Sequence, residues 1–145
     1  MNPSVRLRVS VVALFVDGDS VLLLHQMTLP EPDCWDLPGG GLEPHEELLV
    51  GLAREVQEET GIVHFKVDRL LTVFESFFPR KDDPWHALNI IYQCSVSPRP
   101  TNLSGDPTEV GPKGIQWLRV AKLQREECSS RSWAALQAAG LVGIE

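Results

Sequence analysis

Apolar residues alternate with Arg6, Arg8 and Ser10 and then run unbroken over 11–16. This pattern predicts a strand over 5–16. Asp17, Gly18 and Asp19 read as a hairpin turn, the Asp-Gly pair suiting positive φ, and 21–24 resumes as a second strand antiparallel to the first. Prolines and charges over 30–33 break the pattern. A short strand at 35–37 follows, ended by Pro38 and the glycines Gly39, Gly40 and Gly41.

Residues 46–60 carry the strongest helical period in the chain. Pro44 precedes them, Glu46 and Glu47 suit the positive N-terminal end, and Gly61 suits a left-handed C-terminal cap. Leu49, Leu52, Ala53 and Val56 predict a buried stripe. Gly51 in mid-helix costs about 1 kcal/mol relative to alanine, which points to close packing there. Beyond the helix, 65–78 and 87–96 are rich in β-formers and are joined by a polar turn over 79–84. Four prolines and two glycines predict a long loop over 97–113, of the kind that is functional or mobile. A strand at 114–118 and helices at 120–124 and 132–139 complete an α+β or α/β/α arrangement with a mixed sheet.

Composition narrows the class. The chain has 145 residues, 43% hydrophobic and 23% charged, which predicts one globular domain over 1–145. Thirteen Lys and Arg against 20 Asp and Glu give a net charge of −7. Such a surface repels duplex nucleic acid and anionic lipid, so a phosphate substrate needs a divalent cation to bring it in. Cys34, Cys94 and Cys128 have neither zinc nor disulfide spacing and predict reduced thiols. The apolar runs fall far short of the roughly 20 residues of a membrane span, and the expectation is a soluble, cytoplasmic protein.

The candidate chemistry lies on the helix. Glu55, Glu58 and Glu59 share an arc of about 100° beside the apolar stripe. Like charges at these spacings destabilise a helix by a few tenths of a kcal/mol per pair unless a cation sits among them. Hard oxygen donors without Cys or His suit Mg²⁺, with Mn²⁺ as a substitute. The bland alternative is a solvated acidic face.

The residues around these glutamates extend the pattern. Gly40, Glu46, Arg54-Glu55-Val56-Gln57-Glu58-Glu59-Thr60-Gly61-Ile62 match the signature GX5EX7REUXEEXGU without a gap, and Trp35-Asp36-Leu37-Pro38-Gly39-Gly40 matches its usual approach. The chain therefore resembles the Nudix hydrolase superfamily (MutT-like), with its box over 40–62. The resemblance implies an α/β/α sandwich with a mixed, mainly antiparallel sheet and a catalytic loop-helix-loop. It implies a Mg²⁺-dependent hydrolase that cleaves the pyrophosphate linkage of a nucleoside diphosphate derivative. By position, Glu55, Glu58 and Glu59 would be the metal ligands, the Gly39 carbonyl a further ligand, and Glu46 and Arg54 would orient the shell. Glu55 or Glu109 would be the general base, with Glu75 third.

Substrate residues are less determined by the motif. Relatives often carry a basic residue where this chain has His25-Gln26; Arg6 and Arg8 on the first strand could substitute. Trp85 and His86 are the other candidates for substrate contact, and Trp35, Phe74, Phe77 and Phe78 for stacking on a base. His45 and His64 read as surface residues. Pro79, 17 positions after the box, favours ADP-ribose or a nucleotide sugar. The alternatives are an oxidised nucleoside triphosphate, a nucleotide-sensing module without catalysis, and a non-nucleotide diphosphate such as an inositol or isoprenoid diphosphate. The inositol reading lacks an evident basic pocket. The expected partner is a small nucleotide, with neither duplex nucleic acid nor membrane, on a monomer or homodimer.

Overall fold

A computed structural model describes residues 4–144; residues 1–3 and 145 of the predicted domain lie outside it. Strand β1 (Arg6–Asp17) is the centre of the fold. It pairs in parallel with β6 (Trp85–Ser95) and antiparallel with the glycine strand β4 (Gly39–Gly41), and its end forms a hairpin with β2 (Ser20–Gln26). Strand β5 (Lys66–Phe78) extends the sheet beyond β6. On the other side, β2 pairs with β3 (Cys34–Asp36) and β7 (Val110–Arg119). The predicted hairpin is present, with Gly18 at a positive φ of 61°. All pairings except β1–β6 are antiparallel, as expected for the mixed sheet.

Helix α1 (Leu48–Thr60) starts two residues later than the pattern predicts. Glu46 and Glu47 stay outside because the Glu46 carboxylate accepts the Glu43 N–H and the Arg54 side chain instead. Gly61 closes the helix at φ 82°, as predicted. The predicted stripe is half right. Leu52 and Val56 are fully buried against β1, but Leu49 is 52% exposed and Ala53 is exposed too. The inward face is completed by Glu55 and Glu59, so the helix is rotated to bring two carboxylates towards the protein interior. Close packing at Gly51 is confirmed: a Cβ there would lie 2.7 Å from Leu42.

The loop after β6 is shorter than 97–113, because β7 already begins at Val110, paired with Gln26. Its amides dock on the end of α1: Ser104 N–H donates to Thr60 O and Asp106 N–H to Glu58 O. These bonds satisfy carbonyls that the helix end leaves free. Helix α2 (Ser130–Ala138) packs Ala135 and Leu136 with Val12, Leu14, Leu23 and Ile91, on the opposite sheet face from α1. Its predicted neighbour at 120–124 is only a 3₁₀ turn, Val120–Lys122. Among the described residues no helix is long and apolar enough to cross a membrane.

Candidate active site

A cleft of about 410 Å³ opens between the glycine strand, α1 and the face of β1, β6 and β5. That is within the usual range of small-molecule sites. Strand register builds its wall: Arg8 lies beside Ala87 and Ser76, Ser10 beside Asn89 and Phe74, and Arg6 beside Trp85 and Phe78. Side chains alternate across a strand, so Trp85, Ala87 and Asn89 share the cleft face while His86 and Leu88 point away.

The acidic end lies beneath the glycines. A Cβ on Gly40 would fall 2.6 Å from the Glu55 carboxylate, so glycine lets the backbone lie over that side chain without displacing it. Gly39 N–H donates to Glu59 Oε1 at 2.7 Å. Arg54 grips Glu46 through two N–H groups at 2.7 and 2.9 Å, holds the Gly41 carbonyl at 3.1 Å, and reaches Glu55 at 3.0 Å. Arg54 thereby holds the Glu46 carboxyl down at about 2. Glu58 stays on the solvent side and meets Arg54 at 3.5 Å. Glu109 reaches the cleft from the docked loop.

Burial dominates the electrostatics here. It pushes Glu59 up to about 8, with Asp36 and Glu109 adding like-charge repulsion against the Gly39 hydrogen bond. Burial likewise raises Glu55, against the pull of Arg54, and raises Glu109, which also feels Asp106 and Glu58. Among the described residues no three His, Cys, Asp or Glu side chains are drawn together as a finished metal shell. The donor set nevertheless fits a hard cation: all-oxygen, mutually repelling and desolvated. Glu55, Glu59 and Gly39, three of the four predicted ligands, line the cleft; Glu58 lies outside its lining, half-exposed beside Arg54.

The predicted substrate residues divide. Arg8 and Trp85 line the cleft, and the Arg8 guanidinium lies 4.3 Å over the indole. Arg6 sits at the rim, paired with Asp83 and 5.3 Å from the same indole. His86 is not brought to the cleft: it stacks on Phe77 and bonds Glu75 on the other sheet face. Phe78 lines the cleft; Trp35 and Phe74 pack in the core beside α2 and Phe77 faces solvent. His25 is buried, its Nε2 on Asp33 and its Nδ1 accepting the Lys113 N–H.

One part of the cleft went unread in the sequence. Asp36 is a buried hub: both its oxygens are held by Arg131, at 3.0 and 2.8 Å, and Ser129 and Leu37 N–H also donate to it. Arg131 adds a bond to Asn89 Oδ1 at 3.2 Å. Desolvation alone would raise the Asp36 carboxyl; the charge and hydrogen bonds of Arg131 win and hold it below the ordinary range. Arg131 lies 95 residues from Asp36 in the chain, and no local spacing signals the pair.

Comparison with known proteins agrees with this geometry. The NUDIX domain profile matches residues 5–138. The chain is 35% identical over 89 residues to an ADP-ribose pyrophosphatase of Methanocaldococcus jannaschii, covering 58% of this chain and 51% of that protein. It is 38% identical over 102 residues to the human diphosphoinositol polyphosphate phosphohydrolase 3-alpha, covering 70% of this chain and 56% of that protein. The chain thus spans about half the length of these curated relatives. The crystal structure of a MutT NUDIX hydrolase from Burkholderia pseudomallei superposes with a TM-score of 0.69 at 25% identity, over 92% of this chain and 98% of that one.

Proposed function

The chain belongs to the NUDIX family, and from that premise we propose that it is a divalent-metal-dependent pyrophosphohydrolase acting on a nucleoside diphosphate derivative. The observation that carries this reading is the desolvated pair Glu55 and Glu59 beneath a strand of three glycines, at the end of a cleft of nucleotide size. ADP-ribose or a nucleotide sugar is the substrate we favour. The relationship to an ADP-ribose pyrophosphatase supports it, and so does the presence of Trp85 on the cleft wall.

Glu55, Glu58 and Glu59 would hold the metal, with Gly39 contributing its carbonyl. A bound Mg²⁺ or Mn²⁺ would offset phosphate charge and acidify a water for attack on phosphorus. Arg54 acts as a positioning residue, because it fixes Glu55, Glu46 and the Gly41 backbone at once. The Gly39 N–H fixes the orientation of Glu59. We take Glu109 as the proton acceptor. Its carboxylate lines the cleft, burial raises its affinity for a proton, and no side-chain hydrogen bond occupies it among the described residues. Catalysis would be mostly positioning and electrostatics.

The test is a hydrolysis screen with Mg²⁺ or Mn²⁺ over ADP-ribose, nucleotide sugars, dinucleoside polyphosphates and normal and oxidised nucleoside triphosphates. Cleavage of one class, reduced at least about 100-fold in Glu55→Gln and Glu59→Gln, is expected. Equal activity in wild type and both variants would overturn the assignment of the site.

A further inference from the structure

The end of the cleft opposite the glutamates is basic, in a protein whose net charge is −7. Three guanidinium groups surround Trp85: Arg8 at 4.3 Å, Arg80 at 5.2 Å and Arg6 at 5.3 Å from the ring centroid. One carboxylate, Asp83, pairs with two of them. It takes Arg6, lies 3.9 Å from Arg80 and accepts the Trp85 indole N–H at 2.9 Å. Arg8 has no ion pair among the described residues. Its terminal nitrogen comes within 3.7 Å of the Cβ position of Gly41, so Arg8 spans from the glycine strand to the indole. Stacked guanidinium groups keep their in-plane N–H donors free.

A fourth arginine faces the same space from the floor. Arg131 spends three of its N–H groups on Asp36 and Asn89, which leaves two of the five that a guanidinium carries. Between floor and rim lies Ala87, whose small side chain leaves room between Arg8 on one strand and Ser76 on the other. Burial chiefly disfavours the charge on Arg8, and Arg6 and Arg131 add repulsion; Asp83 opposes this. An anion over Ala87 would offset the repulsion among these charges.

We propose that the Trp85 end of the cleft is an anion subsite, which takes a phosphate group that the substrate carries beyond its scissile diphosphate. Arg8 and Arg131 contact that phosphate, and Arg6 and Arg80 hold the indole and set the local potential. The proposal rests on the diphosphate-hydrolase reading and narrows it: a substrate with an additional phosphate is preferred over its unphosphorylated counterpart. The basic surface that the sequence lacked as a contiguous stretch is assembled from two strand positions, a turn and a helix.

Two measurements on the full chain test this. Calorimetric titration with inorganic tripolyphosphate in EDTA reads the subsite without metal or turnover. Binding is expected in wild type, weakened about tenfold or more in Arg8→Gln and in Arg131→Lys, and weakened further by salt. No binding in wild type, or equal binding in both variants with unchanged thermal melts, overturns the subsite. With Mg²⁺, kcat/KM for ADP-ribose 2′-phosphate relative to ADP-ribose, and for diadenosine pentaphosphate relative to the triphosphate, should exceed one by about tenfold in at least one pair. Arg8→Gln should return that ratio towards one. Ratios near one in both pairs overturn the substrate preference. Tripolyphosphate binding without hydrolysis of any compound would overturn the hydrolase reading while supporting the anion subsite.

Discussion

Glu59 is 5% exposed, yet among the described residues the only hydrogen bond to its carboxylate comes from one backbone N–H. Burial raises its pKa to about 8 in the folded protein, against about 4.3 in an unfolded chain. The folded state therefore binds the extra proton between those values. Metal-free protein should lose stability as pH rises from about 4.5 to 8. Urea melts across that range should show the decline; Glu59→Gln should flatten it, and saturating Mg²⁺ should reverse it. The opposite sign holds for Asp36, whose folded pKa is depressed mainly by Arg131 against desolvation. Its stabilising effect is present above the unfolded carboxylate pKa and disappears as pH falls through the folded value. Arg131→Ala should cost about 3–5 kcal/mol in chemical denaturation, because it strands a buried carboxylate.

At the scale of elements, the glycine strand and α1 act as one unit. Gly39 sits at φ 144° with a would-be Cβ 2.3 Å from the Val11 carbonyl, so Gly39→Ala should destabilise the fold itself. At Gly40 the obstacle is the Glu55 carboxylate, a flexible end, and the backbone has no positive φ. Gly40→Ala should therefore keep its melting temperature within a few degrees while kcat falls at least tenfold, as paired melting and kinetic measurements would show. Gly105 plays a similar part for the loop: a Cβ there would lie 2.1 Å from the Glu59 carbonyl, so Gly105→Ala should undock the segment that brings Glu109 to the cleft. The box was legible because its chemistry is local. Glycines, helix and glutamates follow each other over 40–62, and one helical period sets their spacing. The rotation of α1 was not legible. Leu49 and Ala53 fit the apolar period as well as Leu52 and Val56, and only the sheet beneath decides which are covered.

At the scale of the whole molecule, the chain separates charge along one cleft. Glutamates from α1 and Glu109 occupy one end, and Arg8 of β1 with Trp85 the other; Arg131 of α2 stands between them, felt by both Glu59 and Arg8. The mixed sheet and the glutamate-bearing helix were readable from hydrophobic period and motif; the glycine strand was not, and the helix expected at 120–124 is a 3₁₀ turn. The Asp36–Arg131–Asn89 hub was not, since its members meet only through the sheet and are separated by 42 and 95 residues. The same holds for the arginines around Trp85, which sequence shows as scattered charges. The most direct test of the central claim is hydrolysis of ADP-ribose with Mg²⁺ in ¹⁸O-labelled water, followed by mass spectrometry of the products. One ¹⁸O is expected in a phosphate-bearing product, and none above background with Glu59→Gln. Intact ADP-ribose and nucleotide sugars after prolonged incubation, with Mg²⁺ bound by calorimetry, would contradict it.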